Sequence, residues 1–405
     1  MELGPVQRRP LFCAAALLLS CFHTDARATE APRSTIGPAC RVDLRSVVKA
    51  EPVPTLGTRG TPWVPVITLH FLDNERFVAT LVTPASPSPG VAARSSPDAA
   101  SPFRLSGVVI EASTGKVLAT PEWPSNVRAA GVVAANDRGF VTQIGSHLTL
   151  FSNSLVPLKR ITLPPPVSSG PAYNNEWYPS AASWSGKRVL FLAGSAWTTR
   201  SWLWLDAANL EVLDSWQDAA TGAIAVSDNQ VVMDPSSRHF GDPPPSLMAE
   251  PPGGPWKAIP VTVGVSRPHF VGPEVLCFDR DIPDTLPPRY DAFRMTVEGT
   301  SAFGAPFREG DAGLCRGILS RTRGRVVVLQ TQFKGFHPVL DIGGHSVLKG
   351  FLVFDAPFTT PSYTLRVRGS KLRNVSAALS PDGRHVAVLG YPQPVLEVFE
   401  LPPIQ

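Results

Sequence analysis

Residues Leu379-Ser380-Pro381-Asp382-Gly383-Arg384-His385-Val386-Ala387-Val388-Leu389 place a Pro-Asp-Gly turn between two short apolar runs, and weaker copies of that unit recur along the chain. Pro presets φ for the second turn position, Asp can bond its own backbone, and Gly accepts a positive φ. The unit is therefore a hairpin rather than a helix end. A hairpin that returns every few tens of residues restricts the chain to a repeat architecture.

The clearest further copies are Ser183-Trp184-Ser185-Gly186-Lys187-Arg188-Val189 and Ser320-Arg321-Thr322-Arg323-Gly324-Arg325-Val326, each with a Gly in the turn and a basic residue after it. Ala135-Asn136-Asp137-Arg138-Gly139-Phe140 and Val226-Ser227-Asp228-Asn229-Gln230-Val231 keep the turn chemistry in shuffled order. Phe71-Leu72-Asp73-Asn74-Glu75-Arg76-Phe77 and Phe270-Val271-Gly272-Pro273-Glu274-Val275 are the faintest. The first large apolar residue after each turn is Phe77, Phe140, Val189, Val231, Val275, Val326 and Val386, giving intervals of 63, 49, 42, 44, 51 and 60 residues. The long first interval contains Pro84 to Pro102, a Ser/Pro/Ala-rich stretch that reads as a surface insertion. Pro164 to Pro171 and Pro243 to Pro255 read as further proline-rich loops.

Segments such as 109–118, 148–155 and 203–213 are each a strand, a polar turn and another strand. Two hairpins in series make a four-stranded antiparallel meander, which cannot bury both faces alone. Radial stacking buries them and leaves only short protected edges. The expected fold is all-β, a ring of seven four-stranded sheets over residues 60–403, with six or eight sheets as alternatives and a pair of β-sandwiches as the other architecture.

With its Ser-Pro-Asp-Gly-Arg hairpin, the chain resembles the WD40-like and TolB-type β-propellers, and more closely exported bacterial propeller proteins of that kind. The Trp-Asp dipeptide of true WD40 blades is absent, and Gly-His occurs once, at Gly344-His345. The resemblance implies that a strand from the opposite terminus closes the ring, and a segment near 41–48, within an amino-terminal stretch 29–59, is expected to join a last blade whose own strands are 375–380, 384–389 and 395–401.

Met1 to Ala28 has Arg8 and Arg9, an apolar run from Leu11 to Leu19 and small residues beyond, the plan of an export signal. The run is too short to span a bilayer. Cleavage is expected after Ala26-Arg27-Ala28, or, because Leu18-Leu19-Ser20-Cys21 resembles a lipobox, before Cys21, which would then carry a lipid anchor. Arg8-Arg9 also resembles part of a twin-arginine signal.

Without residues 1–28 the chain holds 34 basic and 31 acidic residues, a net charge of +3 with no like-charge block, which argues against nucleic-acid binding. Its 43 prolines in 405 residues, with few helix-length periodic runs, favour strands joined by loops. No later apolar run reaches membrane-spanning length. Export would permit a disulfide between Cys277 and Cys315, the alternative being that Cys277 is simply a small buried apolar residue.

Nucleophile and metal patterns are sparse. No Gly-x-Ser-x-Gly is present and the chain ends soon after Pro403, so the hydrolase domain found beside some propellers is not expected. His337, Asp341 and His345, and separately Asp279, Asp281 and Asp284, read as solvated loop residues rather than zinc or calcium ligands. No cofactor is expected. Arg128, Arg267, Arg316 and Arg373 lie at or near the beginnings of inner strands and could ring one channel mouth, favouring an anionic ligand. Trp177, Tyr178, Trp197, Trp202 and Trp204 cluster in the third blade; alternate aromatics such as Trp202 and Trp204 are expected to pack between blades. These features suggest a monomeric, exported, non-catalytic propeller that binds a protein or small ligand. The alternative is a propeller enzyme, a lactonase or a quinoprotein-like oxidoreductase, with its site in the central channel.

Overall fold

The computed structural model describes residues 34–50, 67–85, 102–127, 130–166, 177–193, 200–218, 224–233, 246–250, 257–260, 266–271, 275–282, 289–296, 318–322, 324–334, 345–356, 358, 361–367, 373–391 and 394–404. They belong to one compact unit, Ser34–Gln405. The chain enters through β1 (Ser34–Ile36), β2 (Cys40–Asp43) and α1 (Leu44–Val48), the single helix among the described residues.

Seven sheets follow. The first contains β3 (Ile67–Phe71), β4 (Arg76–Pro84), β5 (Phe103–Glu111) and β6 (Val117–Ala119), with β7 (Glu122–Ser125) pairing the other half of β5. The second is β8 (Ala130–Asn136), β9 (Gly139–Ile144), β10 (His147–Phe151) and β11 (Pro157–Thr162). The third is β12 (Tyr178–Ala182), β13 (Arg188–Ala193), β14 (Arg200–Asp206) and β15 (Glu211–Asp218). The fourth is β16 (Ile224–Val226), β17 (Val231–Met233), β18 (Ser246–Glu250) and β19 (Lys257–Pro260). The fifth has β20 (Ser266–Phe270), β21 (Val275–Ile282) and β22 (Arg289–Thr296), three strands among the described residues. The sixth is β23 (Ile318–Thr322), β24 (Arg325–Lys334), β25 (His345–Asp355) and β26 (Tyr363–Leu365), and the seventh is β27 (Arg373–Leu379), β28 (His385–Tyr391) and β29 (Val395–Glu400).

The alternation that marks the strands in the sequence puts their apolar residues between neighbouring sheets. Six of the seven apolar markers, Phe77, Phe140, Val189, Val231, Val326 and Val386, are buried. Separate clusters join the first sheet to the second, the second to the third, the third to the fourth, the fifth to the sixth, and the sixth to the seventh. The inner strands β16 and β20 pack together, and β27 packs on β3. A last cluster joins Ile67, Phe77 and Val108 of the first sheet to Ala387, Leu396 and Val398 of the seventh, so the ring closes. Trp202 and Trp204 are buried in the seam between the third and fourth sheets with Leu190, Val226 and Val231. This is a β-propeller.

Several elements differ from their sequence reading. β2 pairs antiparallel with β29 and supplies the seventh sheet's fourth strand, but it stops at Asp43 rather than continuing to 48. There Asp43 Oδ1 accepts a bond from Arg45 N at 3.0 Å and caps α1. β1 adds a fifth strand to the sixth sheet, parallel to β26. The proline-rich stretch 243–255 contains β18, because Met248 and Ala249 pair with both β17 and β19. Asp279 and Asp281 lie within β21, paired with Ala292 and Tyr290, and not in a loop. His345 opens β25. The insertion between β4 and β5 is gathered at its base by Ala85 N donating to Pro102 O at 3.0 Å; residues 86–101 lie outside the described set.

Candidate functional site

The inner strands of the first, second, third and seventh blades run into hairpin turns whose residues line one mouth of the channel. Side chains within the turn build them. In the last blade Ser380 Oγ donates to Asp382 Oδ1 at 2.6 Å and accepts from His385 N at 2.9 Å, while Gly383 N donates to Ser380 O and Gly383 sits at φ 71°. The third blade repeats this with Arg188 N on Ser183 Oγ (3.1 Å) and Gly186 at φ 69°. The turns also lock to one another. Asn136 Nδ2 donates to Gly186 O, Ser185 Oγ to Asp228 Oδ1, and Asp382 N to Asn74 Oδ1.

Inside this mouth is a cavity of about 820 Å³ to which every sheet contributes, among them His70, Asn136, Trp184, Ala225, His269, Arg321 and Leu379 in blade order. The volume falls in the range of small-molecule sites.

Arg321 is the main electrostatic feature. It projects from β23 of the sixth blade and its Nη2 donates to the carbonyl of Ala182, the last residue of β12 in the third blade, at 2.6 Å. Its Nε is buried with no hydrogen-bond partner. Burial lowers its pKa to about 10, so it remains charged at neutral pH, and among the described residues no carboxylate pairs with it. Trp184, also lining the cavity, leaves its buried Nε1 without an acceptor.

His70 lines the channel from β3. Burial lowers its pKa to about 4, against an opposing bond to the Val132 backbone, so the ring is neutral at pH 7. At the rim Asp73 is already engaged: burial would raise its carboxyl, but the Arg76 side chain (Nε to Oδ2, 2.8 Å) and the Glu75 and Arg76 amides outweigh this and hold it below its usual value.

Of the arginines expected from the sequence, two fall on described strands, and Arg267 lies two residues before the cavity-lining His269. Arg373 opens β27 and Arg267 is the second residue of β20; Arg373 lies six residues from Leu379, roughly 20 Å along the strand from the cavity. Their side chains, and Arg128 and Arg316 altogether, lie outside the described residues, as do Cys21, Cys315 and Trp197. Cys277 is buried in the seam between the fifth and sixth sheets. Trp177 is buried, with Nε1 donating to Pro164 O at 2.7 Å, so it presents no binding face.

Sequence reasoning missed Arg321, although a signal was present. The strand register aligns Phe71 with Phe77, Ala135 with Phe140, Ala182 with Val189, Val226 with Val231, Phe270 with Leu276, Arg321 with Val326 and Leu379 with Val386. The position before the turn is apolar in six blades and a cation in one.

No protein-family model matches the chain, and no curated protein does. Solved structures do. The β-propeller domain of the Trilobed protease from Pyrococcus furiosus matches with a TM-score of 0.50 at 8% identity, over 82% of this chain and 95% of that one. The C-terminal WD40 domain of Sif2 matches with a TM-score of 0.47 at 10% identity, over 91% of this chain and 99% of that one. The acylaminoacyl peptidase of Pyrococcus horikoshii matches with a TM-score of 0.49 at 8% identity, over 83% of this chain and 51% of that one. At these identities the likeness concerns the fold, and on the fold the comparison and the seven sheets agree: the chain is a β-propeller.

Proposed function

We propose that this chain is an exported, non-catalytic binding propeller that takes a small ligand into the turn-side mouth of its channel. One observation carries the reading: a single cavity of about 820 Å³ draws lining residues from every blade, so a molecule seated there touches the whole ring. Polar side chains such as Asn136, Ser183, His269, Ser320 and Arg321 alternate with small apolar ones around its wall, which suits orientation and selectivity.

Ser180 lines this cavity and is exposed within it, so Ser180→Trp plugs the space without displacing the core. A thermal-shift screen of small molecules on the mature protein should find stabilisers whose effect disappears in Ser180→Trp. Stabilisers that act equally on both proteins would place binding elsewhere.

Export rests on the pattern of residues 1–28. Mass measurement of the mature amino terminus should show Thr29, or a lipidated Cys21; retention of Met1 would contradict export. The same protein digested without reductant should yield a Cys277–Cys315 peptide pair.

A further inference from the structure

We infer that the channel mouth is selective for a small organic monocarboxylate seated on Arg321. This rests on the channel being a ligand site and adds the class of ligand. A guanidinium buried away from water is costly unless an anion or a full set of acceptors meets it. Among the described residues Arg321 has one protein acceptor, Ala182 O, and its Nε–H has none. The cation occupies a repeat position that carries Phe, Ala, Val or Leu in the other six blades, so the fold itself does not need it.

Trp184 Nε1 is a second buried donor on the same cavity without an acceptor. Two donors lacking acceptors ask for a ligand with several lone pairs on neighbouring oxygens, and a carboxylate matches a guanidinium fork in shape. The charge count points to a monoanion. Within the cavity His70 is neutral, Asp73 is held by Arg76, and Lys187 and Asp137 are exposed; apart from the half-buried His269, that leaves Arg321, whose Nε is buried, as the inward-facing cation among the described lining residues. Leu69, Ala134, Ala181, Ala225, Leu319 and Leu379 supply apolar wall for the remainder of the molecule.

The test is calorimetric titration of the mature protein with acetate, hexanoate and benzoate, each against its primary amide at fixed ionic strength. At least one acid should bind, with its amide roughly tenfold weaker or worse. Arg321→Met should abolish that preference while melting at or above the wild-type temperature, because it removes an uncompensated buried charge. Trp184→Phe, which keeps the ring and deletes the donor, should weaken the acid several-fold. The inference is overturned if no acid binds, if acid and amide bind alike, or if Arg321→Met holds the acid as well as wild type. Should acid and amide bind alike yet both be lost in Ser180→Trp, the channel stands as a ligand site and only its anion preference fails. Binding indifferent to Ser180→Trp would remove the channel reading itself.

Discussion

Arg325 and Asp355 face each other across β24 and β25 as a two-pronged pair, Nε to Oδ1 and Nη2 to Oδ2 (2.9 Å), with the Arg325 side chain fully buried. The same guanidinium reaches the seventh blade, donating through Nη1 to Gly383 O at 2.5 Å and Pro402 O at 2.9 Å, and lies 5.7 Å from the centre of the Tyr363 ring. It ties the sixth blade to the last turn and to the carboxyl-terminal segment. Arg325→Met leaves the Asp355 carboxylate and two carbonyls without their donor and should cost about 3–5 kcal/mol. Urea unfolding measures this, and a loss below about 1 kcal/mol would show that the pair is not holding the two blades.

Leu44, the first residue of α1, is fully buried in the cluster that joins the first and seventh sheets. It follows directly on β2, so its packing and the β2–β29 pairing act together. Leu44→Ala should destabilise by about 2–5 kcal/mol, as expected for a core leucine whose site cannot collapse. An effect typical of an exposed position would mean that the amino-terminal segment does not seal the ring.

The His70 ring makes stability depend on pH. The unfolded ring takes up a proton near its ordinary pKa of 6.5, whereas the folded one does so only near 4. The unfolded state therefore holds more protons between those values, and stability falls as pH drops from about 6.5 to 4 and levels off below. The displacement corresponds to an upper limit of about 3 kcal/mol. Comparing urea midpoints at pH 7 and pH 4.5, His70→Gln should show a shallower loss than wild type; parallel losses would contradict a neutral, buried His70.

Gly186 has a positive φ, and a Cβ built on it would lie 1.8 Å from the carbonyl oxygen of Ala135 in the neighbouring blade. Gly186→Ala must therefore move the third turn away from the second and should cost upwards of about 2 kcal/mol. Gly37, with nothing within 4 Å of its would-be Cβ, is the control, and Gly37→Ala should be near neutral in the same thermal melt.

The turns were legible because their chemistry is local. Ser380, Asp382 and Gly383 complete their bonds within six residues, so a short window of sequence contains the cause. The last blade, read from the sequence as 375–380, 384–389 and 395–401, lies within two residues of that at 373–379, 385–391 and 395–400. What needs a distant partner was less visible. β1 is a strand because β26 lies 329 residues away in register, and nothing in Ser34-Thr35-Ile36 announces that pairing. β18 is framed by prolines that suggest a loop, yet β17 and β19 hold it in the ladder. At 41–48 the apolar spacing of Val42, Leu44 and Val47–Val48 allowed a longer strand, and the Asp43 cap decided for a helix after four residues. Arg321 was hidden for another reason. A single arginine beside two others in a basic turn looks solvated until all seven hairpins are set in register.

Ring closure is the claim on which cavity, cap and channel all depend, and Asn74 and Asp382 report on it directly. They lie 308 residues apart, on the first and seventh blades, with Asp382 N donating to Asn74 Oδ1 at 3.0 Å. In the double variant Asn74→Cys, Asp382→Cys, a short bifunctional maleimide followed by peptide mass mapping should recover the 74–382 pair as a main intramolecular product. If position 382 instead links only to partners near it in sequence, and never to 74, the first and last blades do not meet and the closed ring is wrong.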